Sequence, residues 1–190
     1  MNTPDGLPTL SAGAHEEGSG RACVMEMVAL LAGESWTDSP ACTHPVLARA
    51  AQRVNDGLPD DERHLLVPLI GRLFGTAESG SDHERRVLSV RLAVWCARQV
   101  MRPGDDASRR AIEAAEGWCE GRVTAQECQA AAAAAYAAAY TADAAYAAAY
   151  AATATAALLT GLLDEYDRLT GRTEHRHVSD TELRALAAAI

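Results

Sequence analysis

The residues with the clearest potential for chemistry lie between positions 15 and 44. They are two histidines, two cysteines and three carboxylates: His15, Cys23, Glu26, Glu34, Asp38, Cys42 and His44. Imidazole and thiolate are ligands that zinc prefers, usually in tetrahedral sets of four. The candidate zinc ligands are His15, Cys23, Cys42 and His44. The segment contains neither a CxxC pair nor an HExxH motif, so its spacing alone does not define a metal site, and no cofactor is predicted outright.

The same segment offers candidates for thiol or acid–base catalysis. Cys23 and Glu26 are three residues apart, which places them on one face of a helix. A histidine that lowers the pKa of a thiol produces a nucleophile, so Cys23, Glu26 and Asp38 are the catalytic candidates. In the alternative, which we favour, the cysteines are small core residues, and Glu34 and Asp38 cap helix ends.

A second candidate surface lies in the alanine-rich segment 128–156. Its regularly placed polar residues are Tyr136, Tyr140, Asp143, Tyr146 and Tyr150. At 100° per residue these five side chains fall within about 120° of a helical wheel, with Asp143 near the middle. We call them the Tyr/Asp stripe. Two interpretations stay open, since the stripe is either a hydrogen-bonded set inside a bundle or a surface that binds a partner or ligand.

Helical patterns predict the elements that position these residues. Predicted helices cover 21–33, 45–55, 59 onward with a kink at Pro68, 82–101, 105–120, 124–170 and 179–190. Capping boxes at Thr124 and Ser179 mark two of the starts. An unbroken helix over 124–170 would measure roughly 65–70 Å, too long for a compact domain of this size, so we expect a kink or a break at Gly161.

No segment shows the alternation typical of strands, so the sequence predicts an all-α helical bundle with one long Ala/Tyr-rich helix. We expect an irregular arm at 1–20, an N-terminal helical lobe at 21–75 and a C-terminal bundle at 82–190. The two helical parts form either separate lobes or one fused domain, since 190 residues suffice for either.

Charge and composition exclude several functional classes. The net charge is −9, and arginine supplies all 17 basic residues. This acidity disfavours nucleic acids and anionic membranes as partners, and the lack of lysine removes Schiff-base chemistry. We find no signal peptide and no segment apolar enough to span a membrane. With five cysteines, an odd number, the sequence predicts a cytoplasmic protein with reduced thiols.

Residues 10–76 resemble a group of uncharacterised proteins from actinobacteria and their phages. The residues that carry this resemblance are Cys23, Met25, Glu26, Gly33, Glu34, Thr37, Asp38, Pro40, Cys42, Asn55, Asp56, Asp60 and Arg63. The resemblance implies no particular activity.

Residues 85–160 resemble immunity proteins of bacterial toxin systems. The resemblance is carried by Trp95, the segment RAIEAAEGW at 110–118 and the alanine-rich segment after Thr124. Tyrosine here replaces the histidine common in such alanine-rich repeats. The resemblance implies a helical protein that neutralises a partner by occlusion, without catalysis.

The sequence as a whole favours a non-enzymatic, immunity-like binding protein. It would contact a protein partner, or a second copy of itself, through an acidic surface or the Tyr/Asp stripe. Two alternatives remain open. One is a metal- or thiol-dependent enzyme that uses the N-terminal cluster, and the other is a helical bundle whose tyrosines line a small-molecule cavity.

Overall fold

The computed structural model describes residues 8–77, 79–101, 105–140, 155–179 and 181–182, with side chains up to residue 135 in the third range. These ranges are mainly helical, which confirms the predicted all-α class. The α-helices are α1 Val24–Ala32, α2 Pro45–Gly57, α3 Ile70–Leu73, α4 Asp82–Val100, α5 Asp106–Cys119, α6 Ala125–Tyr140 and α7 Ala156–Thr170. A 3₁₀ helix, Arg63–Leu69, precedes α3, and two short strands are β1 Thr9–Leu10 and β2 Arg21–Ala22.

Contacts between residues divide the chain into two units. The first unit comprises Met1–Ser79 with Ala154–Ile190, and the second comprises Gly80–Thr153. The predicted C-terminal bundle at 82–190 is therefore divided, because α7 packs in the first unit. Its apolar residues Leu159, Leu162, Leu163 and Tyr166 recur at helical spacing and are buried. The Tyr166 hydroxyl donates to Thr76 O at 3.2 Å, which ties α7 to the loop after α3.

The N-terminal arm is more regular than expected over its described part. Strands β1 and β2 pair in parallel, with Thr9 opposite Arg21 and Leu10 opposite Ala22. Two further bonds, Thr9 N to Gly20 O at 2.9 Å and Ser11 N to Ala22 O at 2.8 Å, hold the intervening loop. Strands of two residues are too short to produce an alternating pattern, so the sequence did not reveal them.

Helix α1 is the centre of the first unit. Seven of its nine residues are buried, including Val24, Met25 and Val28. A helix that is apolar on all sides needs cover on all sides, and α1 contacts both α2 and α3. It ends as predicted at Gly33, whose φ of 68° is in the left-handed region that glycine adopts without strain.

Two expected features of the helices were wrong. The segment after Pro59 forms a turn and then the 3₁₀ helix, because Pro68 cannot donate the hydrogen bond that an α-helix requires. The expected break at Gly161 is also wrong, since Gly161 lies inside α7. Thr155 interrupts the predicted 124–170 helix instead: it is extended (φ −123°, ψ 154°), and its hydroxyl accepts from Leu158 N at 3.2 Å.

The second unit packs α4, α5 and α6. The predicted capping box at Thr124 is confirmed, since Thr124 Oγ1 accepts from Glu127 N at 3.3 Å and Glu127 Oε2 accepts from Thr124 N at 2.9 Å. Arg98 and Glu116 form an ion pair between α4 and α5 at 2.7 Å. None of the described helices is long and apolar enough to cross a membrane.

Residues 172–178, which we call the C-terminal strap, cross α3 in the first unit. Arg172 donates to Arg72 O and Phe74 O at 2.8 and 2.9 Å, and the Arg176 guanidinium lies 4.9 Å from the centre of the Phe74 ring. The strap approaches the backbone of Gly71 so closely that a Cβ there would overlap Arg176 O. At Ser179, Glu182 N donates to Oγ at 3.2 Å, and most of the predicted helix at 179–190 lies outside the described residues.

We expect Gly71→Ala to lower the free energy of unfolding by about 1–3 kcal/mol, the usual cost of overpacking a buried site, because the added methyl group displaces the strap. Urea unfolding measures this change. Gly161→Ala is the matched control, because alanine is favoured over glycine inside an ordinary helix. Equal stability of the two variants would contradict this packing.

Candidate functional site

The N-terminal end of α1 holds the main candidate site. Cys23 is the N-cap residue, and Glu26 occupies the third position of the helix. Cys23 Sγ accepts from Glu26 N at 3.4 Å, and Glu26 Oε2 accepts from Cys23 N at 2.6 Å, which completes a capping box with a thiol in the usual place of a hydroxyl. The predicted proximity of Cys23 and Glu26 is therefore present, and its geometry is that of a helix start.

Glu26 also fixes the loop between β1 and β2. Its Oε1 accepts from His15 N at 2.6 Å, and its Oε2 lies 3.0 Å from His15 Nδ1. The two side chains are only 1% and 7% exposed. With Glu26 ionised, Nδ1 carries the proton of this bond. Trp36 Nε1 donates to His15 O at 2.7 Å, so the loop is held from two sides.

Asn55 and Arg63 extend this arrangement to α2. Asn55 Oδ1 accepts from Val24 N at 3.1 Å, and its Nδ2 donates to Ser11 O at 2.8 Å. Arg63 Nε donates to Asn55 O at 2.8 Å, and Arg63 also pairs with Asp60. We call His15, Cys23, Glu26, Asn55 and Arg63 the buried polar cluster. Apart from the local Arg63–Asp60 pair, every contact named here joins separate segments of the first unit or caps a helix.

The sequence did not reveal the roles of Asn55 and Arg63. Both residues belong to the pattern on which the expected resemblance of residues 10–76 rests, and that pattern was the available signal. Their function in the fold depends on partners more than 30 residues away for Asn55, and sequence spacing does not give such partners.

Burial makes the Cys23 thiol a poor nucleophile. Burial, with a smaller contribution from the nearby Glu26 carboxylate, raises the pKa of Cys23 from 9.0 to about 12. The reactive form of cysteine is the thiolate, and this shift lowers its population about a thousandfold at neutral pH. Cys23 can therefore act as a hydrogen-bond acceptor and a packing group, and the geometry does not activate it for catalysis.

The remaining candidates lie before α2. Glu34 accepts from Ala41 N and Cys42 N at 2.7 and 2.8 Å, so it caps a loop turn. Burial raises the pKa of the Cys42 thiol as well. Asp38 accepts from the Ser39 hydroxyl at 3.0 Å. These contacts hold the loop that leads into α2.

His44 caps α2. Its Nδ1 accepts from Val46 N at 3.2 Å, so in the neutral ring the proton is on Nε2. His44 N donates to Thr76 Oγ1 at 3.1 Å, and the ring meets Tyr166 edge to face at 6.1 Å. His15 and His44 therefore use Nδ1 differently: in His15 it donates to a carboxylate, and in His44 it accepts from a backbone amide.

The candidate zinc ligands separate into different surroundings. His15 and Cys23 belong to the buried polar cluster, whereas Cys42 and His44 adjoin α2. In the described part of the chain, no three His, Cys, Asp or Glu residues form a group that could hold a metal ion. The zinc site stays a prediction, and the described residues do not bring its four candidate ligands together.

The Tyr/Asp stripe falls largely outside the described structure. Tyr136 and Tyr140 are on α6, and only the backbone of these two residues is described. Asp143, Tyr146 and Tyr150 lie outside the described residues. The stripe therefore stays a prediction.

Comparison of the chain with protein-family models, curated proteins and solved structures gave no match. The two resemblances stay expectations, and function has to be argued from the residues.

We expect Glu26→Gln to lower the free energy of unfolding by about 2–4 kcal/mol, because the amide nitrogen replaces one of the two oxygens and presents its N–H groups to one or two of the existing donors. Urea unfolding measures the effect. Glu84→Gln is the matched control: Glu84 forms the same kind of capping box with Ser81 at the surface, and its effect should be much smaller. The structural role of Glu26 would be contradicted by equal effects.

We further expect Cys23 to be the last thiol to react with iodoacetamide at pH 8 in the folded protein. Its high pKa and its burial both slow the reaction, whereas Cys128 is half-buried. Peptide mass spectrometry gives the rate at each cysteine, and the protein in urea serves as the control in which all five react alike. Labelling of Cys23 as fast as that of Cys128 would mean an accessible, activated thiol.

Proposed function

We propose that this chain is a non-enzymatic binding protein that contacts a protein partner through the second unit. The observation that carries the proposal is the exposure of α6. Of its residues 125–135, only Cys128, Ala131 and Ala135 are half-buried, and the other eight are exposed. Five of the exposed residues are alanines. A helix with apolar residues on most of its circumference is normally buried, so we expect a partner to cover α6.

Helices α4 and α5 support the same proposal. Leu92 is the buried residue of α4, and Ile112 and Gly117 are those of α5. The larger apolar side chains of these helices, including Trp95 and Trp118, are half-buried. Tryptophan is enriched in protein interfaces and often contributes much of their binding energy. The described part of the second unit thus leaves most of its larger apolar side chains only half-buried, and a partner that covered them would complete their burial.

The charge distribution distinguishes the two units. Met1–Ser79 with Ala154–Ile190 contains 17 acidic residues and 9 arginines, a net charge of −8. Gly80–Thr153 contains 9 acidic residues and 8 arginines, a net charge of −1. The nearly neutral second unit suits apolar contact, while the acidic first unit would attract a basic partner over a longer range.

The polar residues of the first unit support a non-enzymatic role. Backbone amides donate hydrogen bonds to the side chains of Glu26, Glu34 and His44. The raised pKa of Cys23 keeps its side chain in the protonated thiol form at neutral pH. The resemblance of residues 85–160 to immunity proteins also favours a partner that is bound and occluded.

The test is affinity capture from a cell extract, with light scattering of the purified chain to detect self-association. We expect the double variant Ala130→Glu/Ala134→Arg to lose at least about tenfold in partner affinity, because it places charges on the exposed face. The two new side chains are four residues apart in the favourable order, so α6 should stay helical by circular dichroism.

Ala14→Glu is the control for added charge, since Ala14 is an exposed residue of a loop in the first unit. It should capture the same partner as the wild type. The proposal would be overturned by a wild-type chain that stays monomeric and captures nothing, or by full binding in the double variant. Tyr140→Ala/Asp143→Ala in the same assay measures the share of the Tyr/Asp stripe, and unchanged binding would exclude it.

A further inference from the structure

Two free cysteines flank the turn that joins α5 to α6. Cys119 is the last residue of α5, and Cys128 is the fourth residue of α6. Both residues are half-buried, in contrast to Cys23 in the core of the first unit. Two cysteines form a disulfide when their Cα atoms come within about 4.4–6.8 Å of each other. The packing of α5 on α6 determines this distance.

The turn between the two helices is tight and is fixed by its backbone. Gly121 is in the left-handed region at φ 72°, and Arg122 N donates to Gly117 O at 2.8 Å, as in a Schellman motif. Val123 then packs so closely against Gly117 that a Cβ at Gly117 would overlap it. Only residues 120–124 separate α5 from α6. Helices joined by so short a loop run antiparallel and pack against each other.

The faces of α5 and α6 place the two cysteines opposite each other. Ile112 of α5 and Ala135 of α6 line the same cleft, so these two positions lie on facing sides of the helix pair. Cys119 lies seven residues after Ile112, and Cys128 lies seven residues before Ala135. Seven residues make about two helical turns, so each cysteine shares the face of the cleft residue on its own helix. In an antiparallel pair both steps lead towards the turn, and they bring Cys119 and Cys128 together.

The surroundings of the Cys119 thiol agree with this placement. The thiol donates to Val87 O of α4 at 3.9 Å. Burial raises the pKa of Cys119, Arg91 lowers it, and the nearby Cys128 raises it. Cys96, the third cysteine of the second unit, lies nine residues after Val87, which is about 180° around α4. Cys96 is therefore on the opposite side of α4 and does not compete for Cys119.

We propose that Cys119 and Cys128 are a reversible disulfide site, which forms by exchange with a small-molecule disulfide such as oxidised glutathione. The two free thiols are the reduced form of this site. In a reducing compartment such a pair forms its bond only when the surrounding thiol pool becomes oxidised, so the site responds to redox conditions. This inference does not depend on the proposed protein partner.

The exchange takes place in two steps. The Cys128 thiolate attacks one sulfur of oxidised glutathione, which forms a mixed disulfide and releases one glutathione thiolate. The Cys119 thiolate then attacks the Cys128 sulfur, which forms the protein disulfide and releases the second glutathione thiolate. The protein loses two electrons and two protons, and oxidised glutathione takes up both to become two reduced molecules. The raised pKa of Cys119 is tolerated in the second step, because an intramolecular thiol acts at a high effective concentration.

The disulfide would hold the start of α6 against the end of α5. It closes a ring that comprises residues 119–128. Closing such a ring restricts the unfolded chain and so favours the folded helix pair. The described residues of α6 are mostly exposed, so the cross-link supplies a covalent constraint where packing is sparse. Amides in the first turns of α6 should therefore exchange their hydrogens more slowly in the oxidised protein.

Peptide mapping of the full chain tests the site. The reduced protein is equilibrated in glutathione buffers of increasing oxidised fraction, quenched with acid and cleaved after arginine. Arg122 lies between the two cysteines, so the cleaved peptides stay joined only through the disulfide. We expect a link between Cys119 and Cys128 that dithiothreitol reverses. Its equilibrium constant should be at least about tenfold larger in the folded chain than in urea, because the fold holds the thiols together.

Three serine variants assign the role of each thiol. Cys119→Ser should stop at a glutathione adduct on Cys128, and Cys128→Ser should form no link. Cys96→Ser is the matched control, since Cys96 is a half-buried cysteine of the same unit, and it should give the wild-type link. Circular dichroism checks that each variant is folded, and the wild-type map decides the question where a variant is not.

The site would be overturned if no link between Cys119 and Cys128 formed in buffers that oxidise the same pair in urea. Links to Cys96 in equal yield, or equal equilibrium constants in the folded chain and in urea, would also overturn it. These measurements require no protein partner. Their failure therefore leaves the partner-capture result unaffected, and a failed capture leaves the peptide maps interpretable.

Discussion

The structure of the first unit depends on the hydrogen bonds of one buried carboxylate, that of Glu26. Because Glu26 is only 1% exposed, its hydrogen-bond donors must come from the protein itself. Its two oxygens receive the amides of Cys23 and His15 and lie against the His15 ring. One side chain thus starts α1 and also anchors the loop that joins the two strands. Because α1 is buried on nearly all sides, an error at its first turn would displace the core around it. The same bonds leave Glu26 little capacity to act on a substrate.

Local signals explain which elements could be predicted from the sequence. Gly33 and Thr124 act within one helical turn, and the structure has the expected helix end and helix start at these residues. The N-cap at Thr155 is an equally local signal, but it was not predicted, because the alanine-rich segment on either side of it was expected to form one continuous helix. Pro68 was correctly expected to disturb its helix, because proline has no N–H to donate, but this local signal does not specify that the segment forms a 3₁₀ helix.

The candidate site could be predicted only in part, for a related physical reason. The pairing of Cys23 with Glu26 follows from a spacing of three residues, and sequence periodicity detects such pairs. The contacts of His15 with Glu26 and of Asn55 with Val24 join residues 11 and 31 positions apart in the sequence. Such contacts are set by the tertiary fold, and residue types alone gave His15 and Cys23 a metal-binding interpretation. Burial, which decides that the Cys23 thiol is unreactive, is likewise a tertiary property.

Among the described residues of the second unit there is no buried carboxylate comparable to Glu26. Leu92 and Ile112 are the large side chains buried in α4 and α5, and each contributes only about 1.5–3 kcal/mol of hydrophobic stabilisation. Alanine has a high helix propensity but buries little apolar area. The alanines of α6 therefore stabilise the helix itself more than they stabilise its packing against α5. A partner or ligand that binds the folded form alone adds its binding free energy to folding. The described part of this unit has few fully buried large side chains, so binding of a partner by the folded form would raise the stability of the second unit directly.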